Sequence, residues 1–532
     1  MNAGLARGPV SAHTRQIIVE YLRGAEKDSE SNQNEINKLK AKLMMLKSKQ
    51  TGLKKTMEEY RSFLAPVYKL PADTLLEIFR FCCEESELCG DKKNPPAALT
   101  LSSVSNYWRD IVMSSAELWS SVSIDFQSWG NIHGWPGTTL ARDLIVLFME
   151  RSKSVPLKIK VSLFRQLEQH SHNDPHPPFR WKPAMDVLEA NSYRWQKFEI
   201  FYPRLNGPSN RGPLTLPNLQ HLTLCFRSPL GFDHPVIWDR FPDLPALTSL
   251  KLDIDDTERK LHLPWEQLRS LHLDCCYSSS AFSIVSRCTN LQHLTFTNVS
   301  DADGFEAYMG ERIVLNTTVS MSIRGVKGSD YTALGSAEIA LVENVTIPSL
   351  ESLEIVNYES PQGSELFIVG GIDYIAQFID RSSCSLTSLT LQSVYGITDV
   401  DVLMLLCLTP ALKYLDLREH KYDTTNRIIT RNLSDRLSTR THQNQASSDG
   451  SQQIFLPNLA GLRLCTHFDG LDEQELADAL ISRWLPDSQC LKSAEITLMA
   501  KERPVAGPLA ALECFRSVGL SFTLEYLPIN TV

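Results

Sequence analysis

The sequence predicts an α/β protein in three parts: an N-terminal coiled-coil helix, a small all-α domain, and an irregular solenoid with a parallel concave sheet. Three observations carry that expectation. An apolar seam repeats at alternating gaps of three and four from Ile36 to Val67. A short helix after Leu70–Pro71 is apolar around most of its girth. From Leu219 onward, nine segments share an L-x-x-L-x-L core.

Composition sets the limits. With 532 residues, 42% of them hydrophobic and 22% charged, the chain has enough apolar material for a large core. A formal net charge of −9 argues against a general nucleic-acid binder, which relies on Lys and Arg at the phosphates. The 12 cysteines show no CxxC pair and no zinc-type spacing, and most sit in apolar runs such as "HLTLCF", so they read as reduced core cysteines. "MNAGLARGPVSAHTRQ" lacks an apolar signal core, and no stretch reaches the roughly 18 apolar residues of a spanning helix. A cytoplasmic or nuclear protein is expected, without membrane or nucleic-acid partners, and the sequons at Asn298, Asn316, Asn344 and Asn432 then read as chance.

After a tail over 1–29, residues 30–67 read as a heptad helix. Its seam is Ile36, Leu39, Leu43, Leu46, Gln50, Leu53, Met57, Tyr60, Leu64 and Val67. Such a seam marks a helix packed on another helix. Two readings stand: a homodimer through 36–67, or packing on a helix over "TRQIIVEYLRG" or on a neighbouring domain. Gln50 in the seam helps fix register, and seven lysines from Lys38 to Lys55 form a solvated face.

Residues 68–122 are the small all-α part. Pro71 suits a first helical turn, where its missing N–H has no partner to lose. Asp73 sits near the positive end of the helix dipole. Leu75, Leu76, Phe79 and Cys83 cover one side; Ile78, Phe81 and Cys82 extend the apolar arc the other way. The arc spans about 220°, against the roughly 100° stripe that faces one core, so this helix is expected to be buried on two sides. A following helix carries Leu101, Val104, Trp108, Ile111 and Val112 at helical spacing, capped by Ser102 or Ser103. A core of some fifty residues is marginal alone, and a partner surface is a natural way to hold it.

"LPADTLLEIF", followed by "LSSVSNYWRDI" and "LWSSVSI", resembles the F-box, specifically the F-box-like proteins common in basidiomycete fungi. Leu70, Pro71, Leu75, Ile78, Phe79, Val104, Trp108 and Arg109 match the family pattern, while Asp73, Thr74 and Ser105 depart from it. The resemblance implies docking on the Skp-type adaptor of a cullin–RING (SCF-type) ubiquitin ligase. It assigns the contact to Leu70, Pro71, Leu75, Ile78, Phe79, Leu101, Val104 and Trp108. Thr74 trims apolar area from that face, a loss on the order of 1 kcal/mol per methylene-sized group.

From 123 to 532 the chain repeats. The first leucines of the nine cores lie at 219, 247, 268, 291, 350, 386, 412, 459 and 491, and the shorter gaps fall in the leucine-rich-repeat range. "TTVSMSIRG" is a degenerate copy, and "VPLKIKV" and "RWQKFEIFY" belong to two divergent ones. Helical patterns such as "DVDVLMLLCL" and "EQELADALISRWL" alternate with the cores, which places a parallel sheet inside and helices outside. The concave positions include His221, Lys251, Asp253, His272, Asp274, His293, Glu354, Tyr414, Asp416 and Arg418. Of these His272, Asp274, Tyr414 and Arg418 are the candidate substrate contacts. His221, His272 and His293 suggest a metal, but surface histidines are the simpler reading, and the three histidines of "EQHSHNDPHPPFR" fit a connector. Residues near 420–455 are polar and read as a disordered insertion.

No P-loop, GxGxxG, GxSxG or HExxH is present, so neither an enzyme nor a cofactor is expected. The expected function is a non-catalytic substrate receptor of a ubiquitin ligase. The alternative is a repeat scaffold whose F-box-like part does not assemble into a ligase.

Overall fold

The computed structural model describes residues 10–84, 87–88, 95–126, 137–162, 182–201, 212–225, 240–253, 263–299, 312–325, 340–357, 372–394, 396–424, 427–439, 454–484, 491–501 and 507–529. The loops "EQHSHNDPHPPFR" and most of "PRLNGPSNRGPLT" lie outside them. The chain forms two compact units, 1–78 and 79–532. The division falls inside a helix, Ala72–Glu84.

The first unit is dominated by α1 (Ala12–Phe63), one unbroken helix of 52 residues. It absorbs most of the expected tail and the heptad segment together. A continuous helix cannot fold back on itself, so "TRQIIVEYLRG" is not the partner of the seam. The seam residues from Ile36 to Tyr60 that are large and apolar are all exposed. Helix α2 (Ala72–Glu84) follows a short 3₁₀ turn at Pro66–Lys69.

In the second unit the chain enters α3 (Ala97–Val104) and α4 (Asn106–Ser114). One helix was expected here. Ser105 breaks it, taking an extended backbone while its hydroxyl accepts from the Trp108 N–H at 3.2 Å. Ser102 and Ser103 cap nothing; their hydroxyls donate back to the carbonyls of Leu99 and Thr100.

The strands then come in chain order: β1 (Ser121–Asp125), β2 (Leu157–Ser162), β3 (Trp195–Phe201), β4 (His221–Cys225), β5 (Ser249–Asp253), β6 (Ser270–Asp274), β7 (His293–Thr297), β8 (Ile313–Val314), β9 (Ser320–Arg324), β10 (Val345–Thr346), β11 (Ser352–Val356), β12 (Ser388–Gln392), β13 (Tyr414–Arg418), β14 (Gly461–His467), β15 (Ser493–Ala500) and β16 (Ser521–Pro528). Fourteen of them form one sheet in sequence order, with β8 and β10 paired separately. Every pairing is parallel. The nine L-x-x-L-x-L segments supply β4, β5, β6, β7, β11, β12, β13, β14 and β15, and the degenerate segment supplies β9. Strands β1 and β16 extend the array beyond the segments read from sequence.

The register has a simple cause. Leu222, Leu250, Leu271, Leu294, Met321, Leu353, Leu389, Leu415 and Leu462 are paired across successive strands, and the residues two further on form a second apolar row. Slipping one strand by one residue would turn its buried pair to water. The backbone at Cys275, Asn298 and Ser393, each one past a strand, turns left-handed with φ near +50°. Each of these N–H groups then donates to the last residue of the next strand, at 2.7–2.9 Å.

Between strands lie α5 (Gly137–Arg151), α6 (Lys182–Ala190), α7 (Ser278–Val285), α8 (Asp373–Ser382), α9 (Asp399–Cys407), α10 (Arg431–Leu437) and α11 (Glu473–Trp484). Helix α10 lies in the stretch expected to be disordered. Ile428, Ile429, Leu433 and Leu437 are buried there, so residues 427–439 are part of the packed array. Residues 440–453 lie outside the described set. No described helix is long and apolar enough to cross a membrane.

Candidate functional site

Two surfaces bear the predicted site residues. On α2 the wide apolar arc divides into two sides. Leu75, Phe79 and Cys83, one turn apart, are 1%, 1% and 5% exposed, while Ile78 and Phe81 are 43% and 77% exposed. Phe79 packs on Trp108 with ring centroids 4.8 Å apart. Leu75 and Phe79, expected to meet a partner, are therefore core residues of the chain itself. Pro71, Ile78 and Val104 are exposed, and Leu70, Leu101 and Trp108 are half-buried. Cys82 is exposed; Cys83 is buried, and burial pushes its thiol up to about 12. Arg109 donates from Nε to the Ser102 carbonyl at 2.9 Å, satisfying the end of α3.

This helical end is joined to the sheet. Leu88 donates its N–H to the Ser123 carbonyl at 2.6 Å and Glu87 bridges Ser123, so 87–88 cover the outer edge of β1. Lys158 on β2 pairs with Glu84 at 2.7 Å, and Arg80 with Glu117 at 2.8 Å. Trp119 is fully buried, its indole N–H donating to the Val112 carbonyl and its ring edge-on to Phe148. An uncovered edge strand would template further pairing, and these residues blunt it.

The second surface is the solvent-facing side of the sheet. Its central row runs Glu199, Thr223, Lys251, His272, Thr295, Ser322, Glu354, Thr390, Asp416, Arg463 and Glu495 on adjacent strands. Neighbouring strands lie about 4.8 Å apart, so charges on this row meet partners within it and two residues further along the strands. Lys251 reaches Asp274 at 3.5 Å. Glu354 accepts from Ser322 Oγ and Arg324 Nη2, both at 2.7 Å. Asp416 accepts two bonds from Arg418, at 2.8 and 2.7 Å, and its hydrogen bond holds that guanidinium above its ordinary range. Arg463 lies 3.6 Å from Asp416 and also pairs with Glu495, forming a network across three strands. The carboxylates are thus engaged within the sheet, and Asp253, expected on the face, is only 5% exposed.

No family model fits the chain, and no curated protein matches it.

The histidines do not converge. His221 and His293 share a row but sit three strands apart, about 14 Å by strand spacing, and His272 belongs to the next row. Among the described residues no three His, Cys, Asp or Glu side chains are grouped to hold a metal. His272 Nε2 lies 2.9 Å from Thr297 Oγ1. Burial, then the Lys251 charge, pulls its pKa down to about 4, so it is neutral near pH 7. Tyr414 is 57% exposed and lies across the strand beside it, where its Cδ1 would stand 2.6 Å from a Cβ on Gly461. Of the four predicted substrate contacts, Tyr414 presents the largest free apolar surface. Sequence reasoning did not select Arg324, Arg463 and Glu495, whose pairs depend on which strands become neighbours. Phe81 and Tyr107 were also outside the predicted contact set, although Phe81's place on the apolar arc was visible.

Proposed function

We propose that this chain is a non-catalytic substrate-recognition subunit of a cullin–RING (SCF-type) ubiquitin ligase. In this reading an F-box-like region at 68–122 docks on the Skp-type adaptor, and an irregular leucine-rich-repeat array binds a substrate protein. The observation that carries it is the split arc of α2, whose inner side is buried while Ile78 and Phe81 remain 43% and 77% exposed. Val104 and Tyr107, exposed by 52% and 42%, add further apolar surface on the next two helices. Exposed apolar groups of this size on short helices suit a protein interface. The strand row of paired charges, with the exposed Tyr414 two residues before Asp416 on β13, supports protein recognition at the repeats. Other subunits supply the chemistry, and this chain supplies proximity and orientation. Cytoplasmic or nuclear placement goes with the proposal.

The test is co-purification with a Skp-type adaptor. Wild type is expected to capture it, Ile78→Asp to lose it while keeping its melting temperature, and Thr74→Leu to tighten it modestly. Failure of folded wild type to bind selects the second reading, a repeat scaffold. One observation favours that scaffold: 87–88 and Trp119 already give the helical end a task in closing the sheet.

A further inference from the structure

The longest helix among the described residues is α1, and its large apolar side chains are exposed. A helix of 52 residues is about 78 Å long. It exposes Ile18, Leu22, Ile36, Leu39, Leu43, Leu46, Leu53, Met57 and Tyr60, each between 44% and 68%. These residues belong to one heptad register. Taking Ile36 as position a, the frame runs back without a slip through Asn32, Ser29 and Ala25 to Leu22 and Ile18. The seam is therefore longer than the 36–67 segment expected to pair.

Charge on this helix is strongly divided. From Glu20 to Glu35 there are five acids and two bases; from Lys38 to Lys55 there are seven lysines and no acid. We propose that α1 is the interface for a second copy of this chain, bound antiparallel, with the acidic half of each helix against the basic half of the other.

The register follows from the seam. Placing the twofold axis at the middle of Ala12–Phe63 sets Ile36 opposite Leu39, Leu22 opposite Leu53 and Ile18 opposite Met57 of the second copy. The small or polar seam residues Ala25, Ser29 and Asn32 then face the longer Gln50, Leu46 and Leu43. Parallel alignment stacks Ala25, Ser29 and Asn32 on themselves, three consecutive layers with little apolar contact. The flanking positions discriminate further. Antiparallel pairing brings Glu35 to Lys42, Asp28 to Lys49 and Glu26 to Lys47, each twice by symmetry, with no like-charge contact among the charged flanks. Parallel pairing brings Lys42 to Lys47 and Lys49 to Lys54, again twice each, against a single favourable pair type, Glu35 with Lys40.

The two arrangements respond oppositely to one variant. The experiment measures the dimer dissociation constant of the full chain by sedimentation, with helix content followed by circular dichroism. Wild type is expected to dimerise. Lys42→Glu combined with Lys49→Glu turns four attractive contacts into four repulsive ones and should weaken the dimer on the order of 100-fold at low salt, less at high salt. Adding Asp28→Lys and Glu35→Lys should restore it. A wild type that stays monomeric at tens of micromolar overturns the proposal. So does a Lys42→Glu, Lys49→Glu variant that dimerises as well as or better than wild type, which is the parallel signature.

Discussion

Glu419 is the side chain whose removal should tell most about the array. It follows β13 and is 2% exposed, its carboxylate wholly out of contact with water. One carboxylate oxygen accepts the N–H groups of Ile428 and Ile429 at 3.0 and 2.9 Å. The other accepts the Thr466 hydroxyl at 2.7 Å and the His467 N–H at 3.2 Å, and lies 3.4 Å from Arg427 Nη1. This one group therefore pins the chain leading into α10 to the end of β14. Glu419→Ala takes the carboxylate acceptor from three buried backbone donors, each costing about 1–3 kcal/mol before relaxation, and leaves the Thr466 hydroxyl only its 3.5 Å contact with the His467 carbonyl. A buried ionic partner left alone adds to this, and a net loss of about 3–5 kcal/mol is expected. Because the loss is local, it should open 427–439 before the sheet melts. Trypsin reports this directly, since Arg427, Arg431 and Arg436 lie in the segment. Native-state cleavage there should accelerate roughly 10²- to 5 × 10³-fold, as the opening free energy falls. Glu419→Gln keeps one acceptor but points an amide at donors, so a loss of about 1–3 kcal/mol is expected. Cleavage and melting that match wild type in Glu419→Ala would refute the assignment of order in this segment to the carboxylate.

The two faces of α2 should separate in stability measurements. Phe79→Ala should cost about 3–5 kcal/mol, whereas Phe81→Ala, at a 77% exposed position, should stay within about 0.5 kcal/mol of wild type by chemical denaturation. His272, whose pKa falls from the ordinary 6.5 to about 4 in the folded chain, makes stability decline with acid. Above pH 6.5 it is neutral whether folded or not; between 6.5 and 4 only the unfolded chain takes the proton, so stability drops across that window. His272→Gln should flatten that part of the melting-temperature profile. Thiol labelling of the native chain should reach Cys82, Cys407 and Cys514 first, because they are exposed. Cys225, Cys276 and Cys288, whose thiols burial pushes up to about 12, should react only on unfolding.

Much of the second unit was legible because its information is local. Alternation around two leucines defines a strand and its buried side within five residues, and nine such segments became nine strands of the sheet. The heptad seam was equally local, since helical spacing alone puts Ile36 and Leu43 on one side. What periodicity could not decide was the choice among equivalent surfaces. An arc of about 220° on α2 contains two possible inner sides, and the packing of Phe79 on Trp108 selects one. Composition likewise misjudged 427–439, whose polar sequence lacks a core of its own. The Glu419 carboxylate, brought by β13 beside Thr466 and His467, anchors it together with the buried Ile428, Ile429, Leu433 and Leu437. The charges of the sheet face follow the same rule. Asp416 and Arg463 are 47 positions apart in the chain, and only the parallel pairing of β13 with β14 makes them partners. Local pattern thus determined which residues turn inward along each strand, and tertiary structure decided which distant polar groups meet.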